Sequence, residues 1–214
     1  MSRYRHVIWD WNGTLLDDVA QAVGVLNTML ARRHMPLLSL ERYRELLRFP
    51  VIEFYRDLGF DLETERYEAV ADEYIAGYAQ RWRQCPLQPG AREKLAELAQ
   101  AGLTQSVLSA YQQTRLEEAV AHFDLGRWFV RLVGLNDHYA AGKQAHGRRW
   151  MRELGLAGHE VLLIGDTVHD WEVAQAIGAA CALLAGGHQD RRTLESCGAP
   201  VLDSLTDLTM ANGR

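Results

Sequence analysis

From residue 86 to the end of the chain, short apolar runs alternate with amphipathic stretches, and that alternation alone fixes the fold class. The runs are TQSVLSA, WFVRLVG, HEVLLIGD, CALLAGG and PVLD. Around and between them lie PGAREKLAELAQAG, TRLEEAVAHF, QAHGRRWMREL, VHDWEVAQAIG and DRRTLESCG, which carry apolar residues at helical spacing or helix end signals, and SLTDLTM reads as a last short helix. A brief apolar run bounded by turn residues reads as a buried strand. Strands alternating with helices of roughly ten to fifteen residues make βαβ units, and these assemble a parallel sheet. Right-handed crossovers then bring the C-terminal ends of all the strands to one edge.

HVIWD, near the start, reads as one more buried strand, ended by Asn-Gly. The alternation then stops. Leu16, Val19, Val23, Leu26 and Leu30 recur at helical spacing, and LERYRELLRF, VIEFYRDL and ETERYEAVADEYIAGYAQRW continue the helical pattern. Residues 16–85 are therefore expected to form a helical insertion after the first strand. Residues 1–15 and 86–214 are expected to form a Rossmann-like α/β core. A chain of 214 residues can hold one such domain with its insertion.

Composition narrows the partners. A net charge of −5 offers no basic surface for nucleic acid. No stretch approaches the ~20 apolar residues of a membrane span, and the N-terminus reaches Asp10 too soon for a signal peptide. Cys85, Cys181 and Cys197 have no CxxC spacing and read as reduced thiols. The expectation is a soluble, cytoplasmic protein, with its oligomeric state left open.

The edge that collects the strand ends also collects Asp10, Ser109 and Asp166, each closing an apolar run. Asp170 follows Asp166 by four residues, in the first turn of a helix. Asn-Gly at 12–13 is also a common hairpin signal, but the helical periodicity of LLDDVAQAVGVLNTML argues against a returning strand. A carboxylate at a strand tip before a glycine-permitted loop suits a nucleophile, with backbone N–H groups turned toward an anion. Asp166 or Thr167 alone would read as a helix cap. With Asp10 on the same edge, the carboxylates together fit a hard cation such as Mg²⁺. Lys143 is one of only two lysines and opens a helix at that edge; the other, Lys94, lies mid-helix.

Taken in order, DWNGT, Ser109, Lys143 and GDTVHD resemble the four motifs of the haloacid dehalogenase-like hydrolases, over nearly the whole chain. The insertion resembles the small helical cap of phosphoglycolate phosphatase-like members. The resemblance implies a Mg²⁺-dependent phosphatase for a small phosphomonoester, with Asp10 attacking phosphorus to form an aspartyl phosphate. It implies that Asp10, the Asn12 carbonyl and Asp166 hold Mg²⁺, with Asp170 supporting them. It implies that Ser109, Lys143 and the loop around Trp11, Asn12 and Gly13, with Ala110 beside Ser109, bind the phosphoryl group.

One position departs from the pattern. In the family's phosphatases an aspartate usually stands where Asn12 does, protonating the leaving group and then activating water. An amide cannot carry a proton between those steps. His34, Tyr43, Tyr55, Tyr74 and Tyr78 are the replacements available from the insertion. A phosphonatase would need a lysine in the insertion, and residues 16–85 contain none. A haloacid dehalogenase proper works without metal and usually has a bulky aromatic at position 12. A non-catalytic phospho-ligand binder is the remaining alternative, though binding alone does not require Asp10. Arg42, Arg44, Arg48 and Arg56 could receive a second anionic group of the substrate, or form a solvated helix face.

Overall fold

The computed structural model describes residues 4–135 and 143–209. The ends and the segment 136–142, which fall within the expected core and include the loop before Lys143, lie outside the described residues. Six parallel strands form one sheet in the order β3-β2-β1-β4-β5-β6. They are β1 (His6–Trp9), β2 (Thr104–Gln112), β3 (Arg131–Leu135), β4 (Val161–Gly165), β5 (Ala180–Leu184) and β6 (Val201–Leu202). The crossover helices are α5 (Ala91–Gln100), α6 (Gln113–His122), α7 (Lys143–Leu154), α8 (Val168–Ile177) and α9 (Arg191–Glu195). Of SLTDLTM, the described residues hold a single 3-10 turn, Leu205–Asp207, and Met210 lies outside them.

The sheet is buried on both faces, which is why its strands read as continuous apolar runs. Side chains alternate between two cores. Val7, Trp9, Val107, Leu162 and Ile164 pack on one face. Ile8, Leu108, Leu163 and Leu183 pack on the other, against Trp150 of α7 and Val173 of α8. β1 lies between β2 and β4, so Asp10 emerges from the middle of the edge, its N–H donating to the Ile164 carbonyl at 2.8 Å.

Four helices follow β1 as an insert: α1 (Val19–Arg32), α2 (Leu40–Leu46), α3 (Val51–Asp57) and α4 (Tyr67–Ala79). The chain leaves and re-enters the core through adjacent segments. Leu16 bridges Leu87 antiparallel, and the Asp17 and Gln88 N–H groups donate to the Pro86 and Leu15 carbonyls, both at 2.9 Å. No helix among the described residues is long and apolar enough to cross a membrane. The three cysteines are free thiols.

β2 runs past the expected TQSVLSA to Gln112, and it does so through an irregularity. Leu108 pairs with Val133 and Gln112 with Leu135, so four steps on β2 oppose two on β3. Ser109, Ala110 and Tyr111 occupy the excess. Bulges re-aim side chains, and this one delivers Ser109 and Tyr111 to the edge where Asp10 ends.

Candidate active site

Asp10, Asp166 and Asp170 converge from β1, β4 and α8, and one oxygen from each lies within 4.8 Å of the others. Lys143, the first residue of α7, is 3% exposed. Its Nζ donates to Asp10 Oδ1 at 2.6 Å and to Asp170 Oδ1 at 2.5 Å. The four residues predicted from three separate motifs are thus one buried cluster, and the scarce lysine is its only ammonium group.

Each carboxylate is held differently. Asp170 Oδ2 accepts from Thr167 Oγ1 at 2.7 Å and from the N–H groups of Asp166 and Thr167, while the Thr167 hydroxyl caps the helix in return. Both Asp170 oxygens are therefore occupied, one by Lys143 and one by the turn. Asp166 Oδ1 accepts from Thr14 Oγ1 at 2.7 Å, and its Oδ2 from the His188 N–H at 2.6 Å. No carbon fits between Asp166 and the loop after β5. A Cβ at Gly187 would stand 2.3 Å from Asp166 Oδ2.

Three carboxylates with one ammonium carry excess negative charge away from water. Burial pushes the Asp10 carboxyl up to about 8, opposed by Lys143 and aided by Asp170 and Asp166. Burial likewise lifts Asp166 to about 6, although the His188 charge opposes it. Burial would also raise Asp170, but Lys143 and Thr167 outweigh it and hold that carboxyl low. Desolvation would strip the proton from Lys143, but Asp10 and Asp170 overcome it and keep the ammonium charged. This donor set fits a hard divalent cation, which would neutralise the excess charge.

The loop after Asp10 turns inward. The Trp11 carbonyl accepts from the N–H groups of Thr14, Leu15 and Leu16, and the Trp11 indole lies in the core, 6.2 Å from the Phe123 ring. Trp11 therefore brings only its backbone to the site. Gly13, at φ +76°, adopts the left-handed conformation that suits glycine. Its N–H is committed to the Leu16 carbonyl and to Asp18 Oδ1, at 2.9 and 2.8 Å. Ser109 is buried, its Oγ accepting from the Tyr111 N–H at 3.1 Å, and Ala110 lines the cavity beside it.

Around Asn12 the structure adds Asp18 and His188, which the sequence reading passed over. Asn12 Nδ2 donates to Asp18 Oδ2 and to Tyr78 Oη, both at 2.8 Å. Tyr78 Oη donates to the same Asp18 oxygen at 2.5 Å. The other oxygen of Asp18 faces His188 Nε2 at 3.2 Å, and Tyr43 Oη bonds His188 Nδ1 at 2.8 Å. Burial would raise Asp18, but His188 and the Tyr78 and Asn12 hydrogen bonds hold it below the usual range. Burial would lower His188, but Asp18 outweighs it and raises the imidazole to about 9. Asp18 stands at the N-cap position of α1 without capping it. The Gly-Gly-His after CALLA was the available signal for His188, since it closes another strand at the same edge.

A cavity of about 250 Å³ opens over this cluster, between the sheet edge and the insert. Tyr43, Tyr55, Tyr74 and Tyr78 all line it; His34, past the end of α1, does not. Burial holds Tyr43, Tyr74 and Tyr78 well above the ordinary phenol value, so they remain protonated. Arg42, Arg44, Arg48 and Arg56 of the insert do not line it either. Arg42 pairs with Glu45, Arg48 with Asp57 and Arg56 with Glu53. Arg44 donates to the Gly186 and Gly187 carbonyls, tying α2 to the loop that carries His188.

Comparison with known proteins agrees with this geometry. The chain is 27% identical over 213 residues to a phosphoglycolate phosphatase of Pseudomonas savastanoi pv. phaseolicola, covering 94% of this chain and 77% of that one. It is 29% identical over 189 residues to a 5'-nucleotidase of Pseudomonas aeruginosa, covering 84% and 81%. Among solved structures, a haloacid dehalogenase-like family protein of Streptococcus pneumoniae superimposes with a TM-score of 0.80 at 18% identity, over 97% of each chain. The family described as haloacid dehalogenase-like hydrolase matches residues 7–184. This chain belongs to the haloacid dehalogenase-like hydrolases.

Proposed function

We propose that the protein is a Mg²⁺-dependent phosphatase that hydrolyses a small-molecule phosphomonoester through an aspartyl phosphate on Asp10. The observation that carries this reading is the Asp10 carboxylate, buried at the end of a cavity and shared between an ammonium group and a carboxylate cluster. Asp10 Oδ1 is held by Lys143, which leaves Oδ2 to attack phosphorus. Similarity to enzymes named as phosphatases supports the same reaction class. Residues 16–85 would act as the cap over a core of 1–15 and 86–214, hinged at the paired crossings of Leu16 and Leu87.

Asp10, Asp166 and the Asn12 carbonyl would hold the metal, with Asp170 fixing Lys143 and the turn behind Asp166. When bound, Mg²⁺ supplies charge neutralisation for the phosphoryl oxygens. Lys143 adds fixed positive charge on the side of the transferring group, and Ser109 gives a hydroxyl beside it. Thr14 and the His188 N–H orient Asp166. Asn12 orients through its amide and carries no proton. Its hydrogen bonds hold it against Asp18 and Tyr78, so the leaving group receives no proton from position 12.

The test is phosphate release from a panel of phosphomonoesters, with and without Mg²⁺, by the intact protein and by Asp10→Asn and Asp166→Asn. The expected result is metal-dependent release that Asp10→Asn abolishes, with Mg²⁺ affinity by calorimetry sharply reduced in Asp166→Asn. No release from any ester, 4-nitrophenyl phosphate included, alongside intact phosphate binding would replace this reading with the non-catalytic binder. Unchanged Mg²⁺ affinity in Asp166→Asn would remove the metal assignment.

A further inference from the structure

The cavity is far more aromatic than a phosphoryl group and a small acid require. At about 250 Å³, and about 30 Å³ per water in the liquid, it has space for roughly eight waters. Beyond Asp10, Lys143 and Ser109, its walls include Leu47, Phe49, Val51, Tyr67, Tyr74 and Ile75.

The aromatic wall begins at the reacting end. Tyr78 bonds Asn12 through its hydroxyl, and Tyr74 stacks on Tyr78 with centroids 6.0 Å apart and planes 21° apart. Tyr111, delivered by the β2 irregularity, meets Tyr78 edge-on at 6.1 Å and 87°. A ring attached directly to the ester oxygen would therefore meet tyrosine faces and edges already fixed by one another, at little ordering cost.

Polar groups on the walls remain to be matched. Tyr111 Oη, Arg115 Nε and His169 Nε2 are buried without a hydrogen bond of good geometry among the described residues, and the Arg115 guanidinium lies beside Tyr111 Oη. Arg115 comes from α6 and forms no ion pair among the described residues; Arg42, Arg44, Arg48 and Arg56 are engaged elsewhere. Buried donors without partners are costly, and a ligand acceptor would satisfy them.

We infer that the substrate's leaving group carries a planar aromatic ring with an acidic or hydrogen-bond-accepting substituent. The ring lies against Tyr74, Tyr111 and the apolar wall, and the substituent meets Arg115 and Tyr111 Oη. This rests on the phosphatase reading above. It also suits Asn12, since conjugation to a ring stabilises a departing oxygen that receives no proton from that residue.

Binding of non-hydrolysable phosphonates in the presence of Mg²⁺ tests this apart from turnover. By calorimetry, benzylphosphonate is expected to bind roughly 10- to 100-fold tighter than methylphosphonate, as burial of a ring implies. 4-Carboxybenzylphosphonate is expected to bind tighter still, and Arg115→Gln to remove that additional gain. Tyr74→Ala should weaken benzylphosphonate at least fivefold more than methylphosphonate. Ile75→Trp, which fills the cavity, should do the same and serves where the first variant folds poorly. Benzyl- and methylphosphonate affinities within threefold of each other would overturn the ring assignment, even where phosphatase activity is intact. Ring-selective binding without phosphate release from any ester would keep the ring assignment and remove the phosphatase reading.

Discussion

Restoring an aspartate at position 12 is expected to fail as a single change, because Asp18 already holds the local carboxylate. In Asn12→Asp the new oxygen replaces an amide nitrogen that lies 2.8 Å from Asp18 Oδ2. Two unit charges at that separation repel by about 6 kcal/mol at an effective dielectric constant of about 20. Keeping one proton on the pair is cheaper. Protonating a carboxyl of ordinary pKa costs about 4 kcal/mol at pH 7, so the variant should fold with a proton shared between positions 12 and 18. The folded-state pKa is then raised above the unfolded value. The folded variant binds the extra proton, and its stability relative to the parent falls as pH rises above about 4, by about 1.4 kcal/mol per unit. Urea denaturation in chelator at pH 5 and pH 7 should give a deficit of about 1.5 kcal/mol at the lower pH and about 4 at the higher. A carboxyl at position 12 that is protonated and hydrogen-bonded is no free base, so hydrolysis of ethyl phosphate should not rise. Adding Asp18→Asn reverses donor and acceptor. The amide introduced at position 18 donates to the carboxylate introduced at position 12, and the amide oxygen still accepts from the Gly13 N–H. The double variant should recover most of the stability and raise ethyl phosphate hydrolysis within the ~10²–10⁴-fold range of general acid–base help. A single variant as stable as the parent at pH 7, or one that alone speeds ethyl phosphate hydrolysis, would refute the reasoning.

Lys143→Ala should lower turnover by about 10²–10³-fold, the scale of losing a fixed charge at the reacting group. Lys94→Ala should spare turnover but lower the melting temperature, because Lys94 is buried and its Nζ donates to the Leu208 carbonyl at 2.8 Å; comparable losses of kcat in both variants would count against Lys143. Gly187→Ala should displace Asp166 and weaken Mg²⁺ binding about tenfold or more, read by calorimetry, since its Cβ would meet that carboxylate at 2.3 Å; unchanged affinity would show that Asp166 does not need its present place. His6 lies buried between the hydroxyls of Thr104 and Ser106, each 2.7 Å away, and burial lowers it to about 4. Its folded pKa is depressed, so the unfolded chain takes up the proton first and stability falls as pH drops from about 6.5 to about 4, by about 3 kcal/mol in total. His6→Gln should remove about one proton from the slope of unfolding free energy over that range, and an unchanged slope would show that His6 is not the group responsible.

The periodicities fixed what local patterning can fix. Continuous apolar runs after residue 86 required strands buried on both faces, and helical spacing between them required crossovers, so the parallel sheet and the shared edge of Asp10, Ser109 and Asp166 were legible residue by residue. The helical insert followed from the same test at 16–85. The site's other half is assembled from side chains that signal nothing locally. Asp18 occupies the position of an ordinary helix cap, and only contact with Asn12, Tyr78 and His188, from the loop, the insert and the β5 end, turns it into a buried charge. Tyr111 looked like the residue after a strand; it becomes a cavity wall because β2 carries extra residues against β3, and that register depends on two strands at once. Lys94 read as a lone mid-helix lysine and is buried, because the chain's C-terminal segment returns to cover it. Periodicity records which face of an element is covered; it carries no record of which distant element does the covering, and burial, pairing and charge state depend on that second fact.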